Sequence, residues 1–273
     1  MSNEPNGFAK YLVIFVDILG SQNRVDFQET YKINKIFHEE LERNEQNDVM
    51  HTVYFRKIYT FSDCAYIFYG FKDGISDERK DKGELFKVAL CNCEPIFLRF
   101  IKERILFRGG ISYGDAYVDP LKNMFFGDAV NQAYKMESEI AIHPRIVIDD
   151  YIAKAVLENI SSEKNKMVAK NPEYISILGA GLVPRMPETG EGIIEQDIDE
   201  KYIYNYLHFP ENNIIMKGYY LSCESFIKEL IDFCFEQIER STNYKIIDKY
   251  FYLQRFAQNR LKNLLMTSFE VRH

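Results

Sequence analysis

The sequence predicts an α+β fold, and three observations predict it. An apolar run, Tyr11-Leu-Val-Ile-Phe-Val16, reads as a buried strand over 10–18 that the carboxylate of Asp17 interrupts. Ile33, Ile36, Phe37 and Leu41 then recur at helical spacing, so 29–43 reads as an amphipathic helix. Two further runs, 52–60 and 63–70, are rich in Tyr, Phe and Ile and meet at Phe61-Ser62, the pattern of a hairpin.

The rest of the first half extends this order. Residues 71–83 form a charged loop, and 84–103 carry helical spacing with a kink expected at Pro95, which lacks the N–H its turn needs. Residues 106–119 read as a second strand pair turning at Gly114-Asp115. Asp128 is placed as the N-cap of a helix running to about Ile140, and 145–149 make a short strand. The order β-α-β-β-α-β is that of a ferredoxin-like core with additional strands and C-terminal helices.

After about residue 150 the periodicity weakens. Pro184 to Glu200, rich in Pro, Gly and acid, reads as an exposed loop, and 201–207 with 214–221 form a candidate strand pair. Two helices close the chain, one striped by Phe226, Leu230, Phe233 and Cys234, the other by Tyr250, Leu253, Ala257, Leu261, Leu264 and Leu265. We divide the chain into 1–150, a core, and 151–273, a strand-and-helix extension packed on it.

Composition limits the functions available. The 273 residues are 46% hydrophobic, enough for a sizeable core, while a net charge of −7 weighs against non-specific nucleic-acid binding. It does not weigh against a nucleotide, whose charge a bound metal would balance. The odd count of 5 cysteines in apolar contexts reads as reduced thiols of a cytoplasmic protein, and Cys91 and Cys93 lack the second pair of a zinc site. Met1 to Lys10 has no apolar signal core, and no stretch is long enough to span a bilayer, so no membrane partner is expected. The five histidines lack zinc spacing, and neither a Walker A run nor a Gly-x-Ser-x-Gly elbow occurs.

The candidate site residues begin with the acids. Asp17 and Asp63 each close a strand, and a carboxylate there is costly to bury unless a cation offsets it. Together they suggest a paired site for a hard divalent ion. Each alone is equally an aspartate satisfied by turn amides. Leu19 and Gly20 follow Asp17 in a strand-to-helix connection whose backbone N–H groups would approach phosphate oxygens. Asn131 and Lys135, four apart, share a helix face on which the amide would reach a sugar and the ammonium a phosphate. That face is equally a solvated one.

In order, spacing and local sequence, three segments resemble the class III nucleotide cyclases, the adenylate and guanylate cyclase family. They are Tyr11 to Ser21, Tyr59 to Phe68, and Arg108 to Gly114 taken with Phe126 to Ser138. The resemblance covers about 10–150. It implies a class III cyclase catalytic core and a head-to-tail homodimer with sites at its interface. It implies that Asp17 and Asp63, with the backbone carbonyl of Ile18, hold two Mg²⁺ or Mn²⁺ ions. It implies that Asn131 orients the ribose, and it puts Lys135 where the family carries an arginine for the α-phosphate. Lysine is a point charge and lacks the arginine's planar fork.

At the base-reading positions the chain carries Tyr59, where purine cyclases carry Lys or Glu, and Met124. Tyr59 resembles the pyrimidine cyclases of the bacterial Pycsar antiphage system, which implies CTP or UTP as substrate, cyclic CMP or cyclic UMP as product, and a downstream cyclic-nucleotide receptor. It is equally an ordinary strand tyrosine. The sequence does not separate CTP from UTP, because a tyrosine hydroxyl donates or accepts. Two other functions stay open: a purine cyclase with an unusual base pocket, and a non-catalytic cyclase-like homodimer that binds nucleotide.

Overall fold

The structure, a computed structural model, describes residues 7–20, 26–46, 53–170, 192–208 and 223–270. The predicted strand over 214–221 and residues 184–191 of the Pro184–Glu200 loop lie outside the described residues, as do the side chains of Leu41, Leu264 and Leu265. The described part of that loop is not all exposed coil but holds the short strand Ile194–Gln196, with Ile193 and Ile194 buried. The chain divides into two compact units. The first comprises Met1–Val156 and Glu195–Tyr204, the second Leu157–Ile194 and Asn205–His273.

The first unit is built on β1 (Ala9–Ile18), α1 (Phe27–Gln46), β2 (Tyr54–Phe61), β3 (Cys64–Phe71), α2 (Lys82–Lys102) and β4 (Phe107–Asp119). Antiparallel neighbours give the sheet order β2-β3-β1-β4. That is the ferredoxin-like arrangement expected of the α+β sequence pattern. Beyond β4 the sheet continues through β6 (Ile146–Ile148) to β8 (Tyr202–Tyr204) and β7 (Ile194–Gln196), with β6 parallel to β4.

Strand β1 is central, and its apolar run is buried on both sides. Val13 and Phe15 pack with Ala129, Val130 and Ala133 of α3 (Asp128–Lys135), so by the two-residue pleat Leu12, Ile14 and Val16 face the other way. Each such buried side chain contributes about 1.5–3 kcal/mol. The helices start where sequence chemistry starts them: Asp26 accepts the Glu29 amide at 3.0 Å, and Asp81 accepts that of Glu84 at 3.0 Å. Phe37 of α1 meets Phe100 of α2 at 5.0 Å, and Phe97 and Phe100 pack on Phe107 of β4.

Two expectations need correction. Residues 106–119 are not a strand pair: β4 is one strand of 13 residues, paired with β1 from Ile18↔Phe107 to Ala9↔Ala116. Gly114 sits inside it, paired with Tyr11 of β1, and makes no turn. The chain turns at 120–123 instead, with Asn123 at φ 50°, into the short strand β5 (Met124–Phe126). The predicted helix 128–140 also divides: Gly127 is the N-cap, Asp128 opens α3, and Met136–Ile140 widens into a π-turn. Helix α2 continues across Pro95 as a single element.

Arg145, almost fully buried, closes this unit. Its guanidinium reaches Asp197 and Asp199 at 2.7 Å each and the Ile140 carbonyl at 2.9 Å. Buried charge is tolerated because it is paired and hydrogen-bonded. After β6 the chain continues into α4 (Asp150–Lys170). In the second unit α5 (Cys223–Arg240) and α6 (Tyr244–Glu270) pair, with Phe233 and Tyr250 edge to face at 5.7 Å. Among the described residues no helix is long and apolar enough to cross a membrane.

Candidate active site

The strand register assembles the site. Asp17 ends β1 opposite Cys64 of β3 on one side and Arg108 of β4 on the other. Asp17 shares pleat parity with Val13 and Phe15, so it lies on the sheet face that carries α3. Asp63 occupies the tight β2–β3 turn, where Ser62 takes φ 51°. The Ile18 amide donates to the Asp63 carbonyl at 3.0 Å, binding the two acid-bearing strand ends together.

The glycine pair lets a helix reach this end of the sheet. A Cβ at Gly110 would collide with the Ala133 carbonyl oxygen and with Met136, and one at Gly109 with the Phe15 carbonyl oxygen. With both positions bare, the π-turn settles directly on β4 and buries Glu137, which is 2% exposed. The Arg108 Nε stands 2.5 Å from Glu137 Oε1 and 3.5 Å from Asp17 Oδ2. The shorter contact is an ion pair by distance rather than an aligned hydrogen bond, since Glu137 Oε1 has no hydrogen-bond partner.

Three acids act electrostatically on one thiol. Burial pushes the Cys64 thiol up to about 11, and the carboxylates of Asp63, Asp17 and Glu137 push it the same way. Burial likewise raises the Glu137 carboxyl from its ordinary 4.5 to about 7; Arg108 opposes the rise and Asp17 adds to it. Two half-buried strand-end carboxylates beside a backbone carbonyl at Ile18 form a hard-oxygen donor set. Among the described residues no group of three or more His, Cys, Asp or Glu side chains converges as metal ligands. Carboxylate and carbonyl oxygens are the donors that a hard divalent cation takes.

The other predicted residues fall elsewhere. Leu19 is buried and its amide donates to the Leu106 carbonyl at 2.9 Å, while Gly20 is exposed at φ 79°. Asn131 and Lys135 are exposed on α3, with Lys135 3.9 Å from Glu139. Tyr59 is 6% exposed in the aromatic patch formed with Phe68 and Phe125, and Met124 is partly exposed beside it.

Arg108, Glu137 and Cys64 are the residues that sequence reasoning did not place at the site. Glu137 carried one legible signal, an acid in the apolar-flanked Met136-Glu137-Ser138 three residues before the helix was expected to end. Arg108 carried another, a cation immediately ahead of two glycines in an apolar run.

No protein-family model matches the chain, and no curated protein matches it. Among solved structures, the chain is similar to the monomeric guanylyl cyclase domain of the RhoGC fusion protein from the aquatic fungus Blastocladiella emersonii. That likeness has 21% identity, a TM-score of 0.42, and coverage of 56% of this chain and 87% of that one. The catalytic core of a rhodopsin-guanylyl cyclase with converted specificity, in complex with ATPαS, gives 20% identity and a TM-score of 0.41, over 56% of this chain and 84% of that one. A bacterial light-regulated adenylyl cyclase gives 16% identity and a TM-score of 0.41, over 56% of this chain and 46% of that one. These are likenesses of fold; the function is argued from the chain's own residues.

Proposed function

We propose that the chain is a nucleotidyl cyclase that closes a pyrimidine nucleoside triphosphate, CTP or UTP, to its 3′,5′-cyclic monophosphate and releases pyrophosphate. The observation that supports this reading is the backbone bond from Ile18 to Asp63, which ties together the strand ends bearing Asp17 and Asp63, with the Arg108 cation beside Asp17.

Asp17, Asp63 and the Ile18 carbonyl would hold two Mg²⁺ or Mn²⁺ ions. When bound, such ions acidify the ribose 3′-hydroxyl and neutralise triphosphate charge. Arg108, steered by Glu137, supplies a fixed cation toward the phosphates. In the reaction the 3′-oxygen forms a bond to the α-phosphorus, the bond to pyrophosphate breaks, and the hydroxyl proton passes to solvent. Asn131 would hold the ribose and Lys135 the α-phosphate. Both are exposed on α3, which supports their acting on the acids of a second copy in a homodimer. Tyr59 would meet the base. A role in antiphage signalling, with a cyclic-nucleotide receptor downstream, accords with this reading through the resemblance at Tyr59 alone.

The test is incubation of the purified protein with each of the four triphosphates and Mn²⁺. Cyclic CMP or cyclic UMP as the main product is expected; preference for ATP or GTP overturns the base assignment. A lysine already 3.9 Å from Glu139 in place of an arginine favours a second reading, a nucleotide-binding dimer without turnover. Tight nucleotide binding with no pyrophosphate released would select it.

A further inference from the structure

The aromatic patch around Tyr59 carries an unanswered polar group. The Tyr59 hydroxyl is enclosed and has no hydrogen-bond partner, although the residue is only 6% exposed. An orphaned buried hydroxyl costs about 1–3 kcal/mol. Such a cost is expected where a ligand supplies the missing partner. Burial also pushes this phenol up to about 12, so it remains a neutral donor and acceptor at any physiological pH.

Phe125 covers it. Its ring lies 4.7 Å from that of Tyr59 at an interplanar angle of 37°, and it touches Tyr66 at 5.0 Å, Phe68 at 5.1 Å and Phe61 at 5.8 Å. One phenyl ring thus rests on a floor of four others. The strand that carries it is short and lies off the main path of the sheet. β5 has three residues and pairs only with β4, from Tyr117↔Phe126 to Asp119↔Met124. It hangs from the turn that the Asp119 carboxylate ties to the Leu121 and Lys122 amides. Its outer residues, Met124 and Phe126, are exposed.

We propose that Phe125 is a gate and a specificity-determining residue: it occupies the position of the nucleobase, and a single six-membered base displaces it to pair with the Tyr59 hydroxyl. The proposal rests on the reading that Tyr59 faces the base. A pyrimidine is a flat ring of nearly phenyl size. It recovers the stacking that Phe125 gives up, and its polar edge supplies the partner that Phe125 cannot. A purine needs room for a second ring over the same floor. Gate and floor belong to one chain, so the selection is made within a protomer.

Two variants and a titration test this. Phe125→Ala opens the site, and Phe125→Leu keeps an apolar filler should the first fold poorly. For either, the ratio of kcat/KM for CTP and UTP to that for ATP and GTP falls about tenfold or more, because a hydrophobic pocket discriminates ring size by volume. The chain has no tryptophan, so Phe125→Trp creates a single indole reporter. Its emission shifts on adding the α,β-methylene analogue of CTP or UTP and stays constant with the purine analogues. Unchanged selectivity in a folded Phe125 variant overturns the gate while leaving cyclase activity intact. If the wild type turns over no triphosphate, the cyclase reading falls, and the indole titration alone then decides: a pyrimidine-selective shift supports the gate and no shift overturns it.

Discussion

The same sheet face has two regions of opposite character. At the end of β1 charges cluster: Arg108 lies within ion-pair distance of both Glu137 and Asp17. Around Tyr59 the surface is aromatic and one hydroxyl is left unanswered. The charged region is built rigidly, on a strand register and two glycines that admit a helix, as electrostatic preorganisation requires. The aromatic region is built around a three-residue strand, where a ring can yield to a ligand. Under the proposed function, chemistry common to all nucleoside triphosphates would fall to the first region and choice among bases to the second, and in a homodimer the two regions of one chain would serve different sites.

The largest effects are expected at the charged end. Asp17→Asn and Asp63→Asn each lower kcat on the order of a thousandfold, since the metal's charge stabilisation is worth several kcal/mol; steady-state pyrophosphate release reads this, and near-normal turnover in either variant removes the metal assignment. Arg108→Ala costs about a hundredfold, the effect of deleting one preorganised donor. Mixing Asp17→Ala with Asn131→Ala separates the regions between chains. Half of the re-paired dimers then hold one intact site, and activity returns to about a quarter of wild type; no recovery after proven subunit exchange means that both residues act in one chain. Tyr59→Phe loses one hydrogen bond to the base and about three- to tenfold in kcat/KM, without the loss of fold that a large core truncation brings.

The smallest effect is on stability. Glu137 keeps its proton in the folded chain up to about pH 7, whereas the unfolded chain releases it near 4.5. Its contribution is fully present below 4.5 and is lost as pH rises through 7. Glu137→Gln, a permanent mimic of the protonated acid, should therefore gain stability relative to wild type between pH 5 and pH 8. Denaturant melts at the two pH values read this, and an unchanged gap contradicts the buried carboxyl.

The two regions were unequally legible in the sequence. Asp17 and Asp63 stood out because a carboxylate inside an apolar run has few explanations. Arg108 and Glu137 did not, because their meeting depends on the β1–β4 register and on a π-turn, neither of which local periodicity encodes. Gly114 was misread for a related reason. A glycine beside an aspartate is a turn signal locally, while the pairing with β1 that keeps the strand running through it is set about a hundred residues away. The sheet order was legible from the β-α-β-β-α-β alternation, whereas the return of Glu195–Tyr204 to the first unit was not, since three-residue strands leave no periodic trace. Tyr59 was singled out by position; that Phe125 seals it was visible only in three dimensions.

The most direct measurement is calorimetric titration of Mn²⁺ into the protein saturated with the α,β-methylene analogue of CTP. Two ions per site are expected in the wild type, with at least one lost in Asp17→Asn and in Asp63→Asn. Equal stoichiometry and affinity in all three proteins would contradict the claim that these strand-end acids hold the metals.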